Sequence, residues 1–408
     1  MRLREVPRVV WVLAGARFLS SMTSFVMLFL TLYLTGPRDL DTATAGLVAG
    51  GSGLGLLLGN FTGGRWGDRW GHRRVLITTS TVSGLLLAAT PWLPLAVLVV
   101  ALPVGAYLAA TAGVSTGALS ALAVARGDRR TSVAIGRAAS NAGFVIGPLL
   151  AAVLVSVSYD LLFVVDGGAT LVIRLAVGRF LPADAEHRVR VSASEGRHGL
   201  WRSVRADRSL LVLLPAIVLA DIVYRQLYTT VPLHLRDAGQ PVVLYTAMIA
   251  VGSGLILLLE IPVAQRLRVY PSYPIIAVGY ALVGLGFACF GLPVGVVTTI
   301  LAITVLTAGE ILYKTTATAH VLDAAPEHLV GQYQGLYTGA STSGGLLAAP
   351  IGTAVYAASP ALLWPACCVV ALVAAALVAG SARVRPGRRT PAGAPRGSPG
   401  TAPRRRAG

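Results

Sequence analysis

The stretch GRWGDRWGHRR, residues 64–74, lies between two apolar segments at 44–63 and 75–94. Each segment has the length of about 20 mostly apolar residues that a helix needs to cross the hydrocarbon of a bilayer. The stretch itself contains four arginines, one aspartate and glycines at positions 64, 67 and 71. We therefore predict a tight, positively charged loop at a membrane surface that connects two membrane-spanning helices.

The composition of the whole chain excludes a water-soluble globular protein. Of its 408 residues, 55% are hydrophobic and 12% are charged, and the mean hydropathy is +0.71. About 25% of the residues of a soluble domain are charged, so this chain has too few polar residues to cover a core. Because backbone groups in lipid must form hydrogen bonds within the chain, we predict an all-α membrane protein with twelve transmembrane helices. The predicted spans are 9–35, 44–63, 75–94, 96–124, 132–156, 159–181, 209–235, 242–265, 272–291, 294–320, 331–356 and 360–380.

The placement of arginine predicts the orientation in the membrane. Arg38 and Arg236 are the arginines of one set of connections, whereas the opposite set is rich in them. Because positively charged connections stay in the cytoplasm, we expect both termini to be cytoplasmic, in the cytoplasmic membrane of a bacterium. The arginine-rich regions are 2–8, 64–74, 126–130, 182–208, 266–268 and 381–408.

Two polar regions divide the chain. A cytoplasmic loop at 182–208 separates an N-terminal six-helix bundle, 1–181, from a C-terminal six-helix bundle, 209–380. The tail, 381–408, is rich in Pro, Gly and Arg and is predicted to be disordered. It carries eight positive charges of a chain whose net charge is +17. We interpret these charges as a topology signal that is attracted to anionic membrane lipids, and not as a nucleic-acid interface.

The charged stretch follows the pattern G-x-x-x-D-R-x-G-x-R-R. This pattern resembles the loop between the second and third helices of the major facilitator superfamily (MFS) of secondary transporters, with His72 where many members have Arg or Lys. The resemblance implies two pseudo-symmetric six-helix bundles around a central cavity. It also implies that Asp68 and its neighbouring arginines latch the two bundles on the cytoplasmic side. The residues of this gating motif are Gly64, Asp68, Arg69, Gly71, Arg73 and Arg74.

Further elements resemble the drug:proton antiporter branch of this superfamily. Gly143, Gly147 and Pro148, followed by two alanines, resemble the G-x-x-x-G-P-x-x-G-G element of exporters, with Ala-Ala in place of Gly-Gly. Small residues at this spacing also allow close helix packing in lipid, which is the alternative interpretation. AAPEHLVGQYQG, 324–335, resembles the A-P-x-x-x-R-G-x-Y-x-G loop, with Val330 in place of Arg. The fourth helix has no intramembrane arginine, which many drug:proton antiporters carry.

Charged residues inside the predicted spans are the candidates for proton coupling and substrate binding, because each is costly in lipid. They fall in helices one, six, seven, eight and ten. In the superfamily, helices one, four, seven and ten line the central cavity, so most of these charges are expected to face it. The residues are Arg17, Asp166, Arg174, Asp221, Arg225, Glu260, Glu310 and Lys314.

Two acid–base pairs, Asp221 with Arg225 and Glu310 with Lys314, have the i,i+4 spacing that places both side chains on one helix face. A buried carboxyl with a nearby cation can change its protonation state when the cavity opens to the other side. The alternative is that both pairs are static and fix the positions of their helices. The proton-coupling candidates are Asp221, Glu310 and Asp166, and the candidates for contact with substrate or for charge pairing are Arg17, Arg225 and Lys314.

The remaining polar residues of the spans are weaker candidates. Glu260 lies near the cytoplasmic end of its helix, where it is expected to pair with Arg266 or with a loop. The three cysteines lie inside apolar segments, which indicates helix packing and not a disulfide framework or a metal site. Uncharged candidates for substrate contact are Ser21, Ser24, Thr31, Tyr107, Thr111, Ser115, Tyr228 and Thr307.

No motif in the sequence indicates an enzyme, a metal site or a bound cofactor. We expect a monomeric secondary transporter that exports a small molecule, a drug or metabolite, by alternating access, with the proton gradient as its energy source. One alternative is uptake of a nutrient by proton symport. Another is a membrane receptor or lipid-handling protein that has the same fold and does not transport.

Overall fold

The computed structural model describes residues 3–24, 26–181 and 199–382. Within these ranges the chain forms twelve long helical units and a short connecting helix, Leu200–Ala206. The predicted cytoplasmic loop, 182–208, is described from residue 199 onward, and the predicted tail, 381–408, up to residue 382. The other residues of both predictions lie outside the described part of the chain.

We number the long units α1 to α12, and two of them are broken. α1 consists of Arg8–Thr23 and Val26–Thr35, and α7 consists of Arg208–Tyr224, Gln226–Thr229 and Val231–Asp237. The others are α2 Thr42–Trp70, α3 His72–Ala89, α4 Leu95–Leu122, α5 Arg129–Val157, α6 Asp160–Phe180, α8 Val242–Arg266, α9 Ser272–Ala288, α10 Val296–Ala324, α11 Val330–Ala358 and α12 Pro360–Ala382.

The predicted all-α fold with twelve membrane helices is confirmed. Among the described residues, ten helices are long and apolar enough to cross a membrane by length and composition. The other two units are α1, whose longer piece has 16 residues, and α11, which has 29 residues but many of Gly, Ser, Thr and Gln. A break and a polar composition are features of helices that line a cavity and not of helices that face lipid on all sides.

The first six helices and the last six pack into two halves. In the N-terminal half α1 packs on α5, α2 on α4, and α3 on both α4 and α6. In the C-terminal half α7 packs on α11, α8 on α10, and α9 on α10 and α12. The halves meet chiefly through α2 with α11 and α5 with α8. These two contacts exchange under a rotation that maps one half onto the other, which is the pseudo-symmetry expected of internal repeats.

Glycine makes close helix contacts possible within the N-terminal half. Gly55, Gly59 and Gly63 repeat every four residues along one face of α2, and a Cβ on any of them would collide with α4 between residues 103 and 111. Gly143 of the predicted α5 motif lies against α1, where a Cβ would be 2.9 Å from the Met22 nitrogen. The α5 motif therefore packs helices, and its association with export stays a prediction.

The predicted surface loop at 64–74 is wrong in its extent. α2 continues to Trp70 and α3 begins at His72, so Gly71 alone connects the two helices. Gly71 has φ 93° and ψ 127°, a conformation that glycine adopts at little cost because it lacks a Cβ. Most of the charged stretch is therefore the end of α2, and its side chains have fixed positions on a helix. We call the end of the bundle that carries residues 64–74 and 126–130 the basic end, and the opposite end the far end.

Candidate transport site

Arg137 on α5 joins the two halves near the middle of the bundle. Its Nε donates to Glu260 Oε1 at 3.0 Å and its Nη2 donates to Glu310 Oε1 at 3.1 Å. The two carboxylates come from α8 and α10, so one guanidinium connects three helices. The side chain of Glu260 is fully buried and that of Glu310 is 7% exposed. Such a bridge holds the halves together because breaking it leaves uncompensated buried charges.

Lys314 completes what we call the central charge cluster, which consists of Arg137, Glu260, Glu310 and Lys314. The Lys314 ammonium lies 3.5 Å from Glu310 Oε1 and 3.4 Å from the centre of the Tyr224 ring. The second distance is that of a cation–π contact. The predicted pairing of Glu310 with Lys314 is present, but Glu310 also binds Arg137. One carboxylate is thus shared by a cation of each half.

The predicted pair of Asp221 and Arg225 does not form. No ion pair within 4.0 Å joins them, and Arg225 is exposed whereas Asp221 is 1% exposed. The backbone N–H of Arg225 still donates to the Asp221 carbonyl at 3.0 Å, so the two residues are one helical turn apart. Arg225 is the residue at which α7 breaks, and its side chain is exposed instead of lying against the Asp221 carboxyl. Asp221 Oδ1 is buried without a hydrogen-bond partner among the described residues.

The expectation for Glu260 is also wrong. Its partners are Arg137 of the other half and the Thr315 hydroxyl, which donates to it, and not Arg266 or a loop. The sequence analysis did not single out Arg137 among the charged residues of the predicted spans. A consistent signal was available, since Arg137 falls inside the predicted span 132–156 just as Arg17 falls inside 9–35.

Two adjoining cavities penetrate the N-terminal half between α1 and α4. The first, about 230 Å³, is lined by Arg17 and several hydroxyl side chains, and the second, about 200 Å³, is lined by Asp166. Asp166 accepts a hydrogen bond from the Thr23 hydroxyl at 2.8 Å. Both cavities are lined by Ser83 and Ala109. Neither cavity is lined by a residue of the central charge cluster, and Arg174 lines neither cavity.

The uncharged candidates for substrate contact lie in different parts of the structure. Ser21 and Ser24 line the two cavities, and Tyr228 is 47% exposed beside Tyr224. The Tyr107 hydroxyl accepts hydrogen bonds from Thr62 and Trp66. The remaining candidates have no place in either cavity: Thr31 is exposed, and Thr111, Ser115 and Thr307 are buried between helices.

At the basic end, Asp68 of α2 binds the first turn of α11. Its Oδ1 accepts the backbone N–H of Gly331 at 2.8 Å, and its Oδ2 accepts that of Gln332 at 2.9 Å. The first N–H groups of a helix have no partner within the helix and carry partial positive charge. Asp68 supplies both the acceptor and the negative charge from the opposite half. His72 Nε2 lies 3.1 Å from the same carboxylate.

Two arginines of the gating motif, Arg69 and Arg73, form no described hydrogen bond or ion pair with the other half. Arg73 donates to the carbonyls of Gly178 and Leu181 in its own half, and Arg69 is exposed. The expectation that arginines next to Asp68 form the latch is therefore wrong for both. Arg126 and Arg129 instead donate across the interface to carbonyl oxygens at the last turn of α10.

Arg130 provides a second contact of this kind. It donates to the Leu267 carbonyl, just after α8, and to the Ser272 hydroxyl at the start of α9. Cations at helix C-termini and a carboxylate at a helix N-terminus are each favourable with the helix dipole. The N-terminal half therefore binds both ends of the connection between α10 and α11. Arg126 and Arg129 contact the C-terminus of α10, and Asp68 contacts the N-terminus of α11.

The protein is closed at the basic end. The described hydrogen bonds and ion pairs that join the two halves extend from this end to the level of Glu310, about 20 Å along the helices at 1.5 Å per residue. The bond from the Asn60 amide to the Thr342 hydroxyl, at 2.8 Å, belongs to this closed region. Closer to the far end, Ser24 of α1 and Tyr228 of α7 are exposed. Across the described ranges, no group of three or more His, Cys, Asp and Glu residues is arranged to hold a metal ion.

Comparisons with known proteins agree with this architecture. A variant of the E. coli fucose:proton symporter FucP superposes with a TM-score of 0.67 at 13% identity, covering 93% of this chain and 98% of its own. The human organic anion transporter MFSD10 gives 0.72 at 15% identity, with 91% and 99% covered. The proton:xylose symporter XylE gives 0.69 at 11% identity, with 91% and 94% covered. At such identities these likenesses show the fold.

The comparison by sequence gives the family directly. No curated protein sequence matches the chain. The family model described as Major Facilitator Superfamily matches residues 13–349, which include the gating motif, the central charge cluster and the cavities of the N-terminal half. The chain therefore belongs to the Major Facilitator Superfamily of transporters.

Proposed function

We propose that this protein exports a small molecule in exchange for protons, by alternating access, with its basic end in the cytoplasm of a bacterium. The observation that carries the proposal is the bridge from Arg137 to Glu260 and Glu310. It joins the halves through ionisable groups that are buried in the membrane region, where protonation of a carboxyl changes the strength of the contact between the halves.

The coupling step follows from the charges of the cluster. A proton that enters from the far end and binds Glu310 removes one of the two negative charges that hold Arg137. The contact between α5 and α10 weakens, and the basic end can then separate. Loss of the proton to the cytoplasm restores the carboxylate and the bridge. The central charge cluster thereby connects proton binding to the change of access.

Lys314 and Asp221 give the cluster a second arrangement. When Arg137 moves away with its half, Lys314 stays beside Glu310 because both are on α10. The buried Asp221 carboxyl has an oxygen without a hydrogen-bond partner among the described residues, so it can take a proton or the Lys314 ammonium as the halves move. Glu310 with its lysine and the buried Asp221 carboxyl fit a proton-transfer path through the C-terminal half.

The direction of transport and the membrane side rest on sequence features. Arginine-rich connections gather at the basic end, and the positive-inside rule places such connections in the cytoplasm. The α5 residues Gly143, Gly147 and Pro148 resemble the element of exporting antiporters. The arrangement closed at the basic end is then the outward-facing state, which an exporter enters to release its cargo and bind a proton.

The proposal can be tested in everted membrane vesicles that contain the full chain. Respiration acidifies the vesicle lumen, and a panel of small molecules is added while a fluorescent probe reports the luminal pH. An exported substrate releases protons from the lumen. Glu310→Gln abolishes this release because glutamine binds no proton, and Asp39→Asn is the control, since Asp39 is exposed with φ 50° and asparagine tolerates that conformation.

Three outcomes contradict the proposal. Normal gradient-driven transport in both the Glu310→Gln and Glu260→Gln variants shows that the cluster does not carry the proton. Accumulation of substrate together with protons indicates symport and uptake. Specific binding without accumulation in proteoliposomes, for any member of the panel, indicates a receptor.

A further inference from the structure

We infer that the first cavity of the N-terminal half binds the oxyanion of an amphiphilic organic anion, with Arg17 as the charged contact. The inference rests on the proposed function, because it identifies the chemical class of the exported cargo. It is carried by three independent features of the cavity: an uncompensated cation, a set of free hydroxyl donors, and a neighbouring apolar cavity.

The cavity exists because small residues of α4 face α1. Ala109 and Gly113 are exposed although they lie in the middle of an apolar helix. α1 packs on α5 and α6, and α4 packs on α2 and α3, so the space between α1 and α4 is left open. Larger side chains at these two positions of α4 would fill it.

Arg17 reaches this cavity without a negative partner. Its aliphatic stem crosses α5 at Gly136, where a Cβ would be 3.2 Å from Arg17 Cδ. Among the described residues, no carboxylate lies within ion-pair distance of its guanidinium, and the charged group that acts on it is Arg137, a second cation. A half-buried cation near a second cation favours a ligand that brings negative charge.

The hydroxyl groups around Arg17 are available as donors. Ser20 and Ser21 are on α1 one turn after Arg17, and Ser140 is on α5 one turn after Gly136, so all three lie on the faces that border the cavity. None of the three hydroxyls has a hydrogen bond to the described part of the chain.

Four other hydroxyls line this cavity, and three of them are already used as donors. Ser80 donates to the Leu76 carbonyl and Thr116 to that of Ala112, each within its own helix, and Ser83 donates to the Gly105 carbonyl of α4. The fourth, Thr170, has no hydrogen bond to the described part of the chain, so the free groups of the cavity are a guanidinium and four hydroxyl donors. Carboxylate, phosphate and sulfonate oxygens accept several hydrogen bonds at once and form bidentate contacts with arginine, so they fit this set better than an amine does.

The second cavity indicates the rest of the ligand. Its walls are mostly aliphatic side chains of α1 to α4, and it meets the first cavity at Ser83 and Ala109. The acid of that cavity, Asp166, is bound to Thr23, six residues or about 9 Å along α1 from Arg17. An anion at Arg17 is thus kept away from Asp166, while an apolar group of a few carbons can extend toward the far end.

The test compares three probes with one skeleton: 4-phenylbutanoate, 4-phenylbutan-1-ol and 4-phenylbutan-1-amine. Binding to the full chain in nanodiscs of phosphatidylcholine is measured by isothermal titration calorimetry, without a proton gradient. We expect the carboxylate to bind at least about tenfold more tightly than either analogue, because charge-assisted hydrogen bonds are the stronger ones. Equal affinities for the three probes would overturn the inference.

Variants locate the preference. Arg17→Gln should abolish the preference for the carboxylate, and Arg174→Gln, which removes an intramembrane arginine that lines neither cavity, should leave it unchanged. Ser140→Ala keeps the charge and should weaken carboxylate binding about threefold through loss of one donor, which gives a result even if Arg17→Gln does not fold. A carboxylate preference that survives in both the Arg17→Gln and Ser140→Ala variants overturns the assignment.

A competition experiment distinguishes binding of an exported anion from binding of a lipid headgroup. If the cavity instead binds a lipid headgroup, phosphatidylglycerol in the nanodisc will compete with 4-phenylbutanoate in the unmodified chain and not in Arg17→Gln, and that result overturns the role in cargo binding. The binding assay is independent of proton flux. If the carboxylate preference is found but proton release does not depend on Glu310, the proposed function alone is contradicted. If proton release depends on Glu310 but the carboxylate preference is not found, this inference alone is contradicted.

Discussion

Asp68 on α2 accepts the backbone N–H of Gly331 on α11 at 2.8 Å, so a carboxylate of one half caps a helix of the other. Asp68 belongs to the segment 64–74 and Gly331 to the segment 324–335, and each of these segments resembles a superfamily motif. Gly64 allows the approach, since a Cβ there would collide with the Gly331 backbone. The two motifs are therefore the two sides of a single closed contact at the basic end.

We predict that Asp68→Ala shifts the protein toward opening at the basic end. Loss of an N-cap costs about 1 kcal/mol, and because this cap exists only in the closed state, the closed population should fall about fivefold relative to the open one. Electron–electron distance measurements between spin labels at Arg65 and Arg268, both exposed, should show a longer distance.

The matched control for this experiment is Asp41→Ala. Asp41 caps α2 at its far end by accepting the Thr44 N–H at 2.9 Å, entirely inside the N-terminal half. Its loss should lower thermal stability by a similar amount without lengthening the distance between labels. An equal change of distance in both variants would show that the Asp68 contact does not control opening.

A second prediction concerns the space at Gly64. Gly64→Ala adds a single methyl that overlaps the backbone of α11 at residues 331–332, so it should disfavour the closed basic end more strongly than Asp68→Ala does. Gly46→Ala in the same helix is the control, because nothing lies within 4 Å of the added Cβ. Cysteine accessibility at the basic end, with the native cysteines replaced, measures the opening. Unchanged accessibility in Gly64→Ala would mean that closure does not need this approach.

The arginines of the basic end give a third prediction. Arg129 donates to the Leu322 carbonyl of the other half, whereas Arg73 donates to carbonyls of its own half. Arg129→Met should therefore favour the open basic end, by about 1 kcal/mol from loss of a cation at a helix C-terminus. Arg73→Met should lower the melting temperature and leave the distance between spin labels unchanged. A larger opening in Arg73→Met than in Arg129→Met would contradict this division of roles.

The sequence predicts the helices well because membrane thickness fixes their length. The twelve predicted spans coincide with α1 to α12 to within several residues at each end. Local spacing predicts the contact of Glu310 with Lys314, since both are on one unbroken helix. It fails for Asp221 and Arg225, because α7 breaks at Arg225, whose side chain is exposed while Asp221 is buried, and hydropathy carries no sign of that break.

Contacts between the two halves cannot be predicted from the local spacing of residues in the sequence. Arg137 lies 123 residues from Glu260 and 173 residues from Glu310 along the chain. No periodicity relates positions so distant, and the pairing depends on how α5 packs between α8 and α10. The same holds for the bonds from Asp68 to the backbone N–H groups of Gly331 and Gln332, because backbone partners leave no trace in residue type.

The fourth prediction separates the structural role of the Arg137 bridge from its role in coupling. Arg137→Gln leaves Glu260 as a buried carboxylate without a cation, while Glu310 keeps Lys314. Removing one partner of a buried ion pair costs about 3–5 kcal/mol, so this variant should melt well below the unmodified protein. Adding Glu260→Gln removes the unpaired charge, and the double variant Arg137→Gln/Glu260→Gln should recover most of the lost stability.

Proton-coupled transport should stay abolished in that double variant, because the bridge between the halves no longer responds to protonation. Thermal unfolding in detergent and proton release in everted vesicles measure the two effects separately. Recovery of both stability and coupled transport in the double variant would show that the bridge is a static packing element. If neither the single nor the double variant loses stability, Arg137 is not held by Glu260 in the membrane.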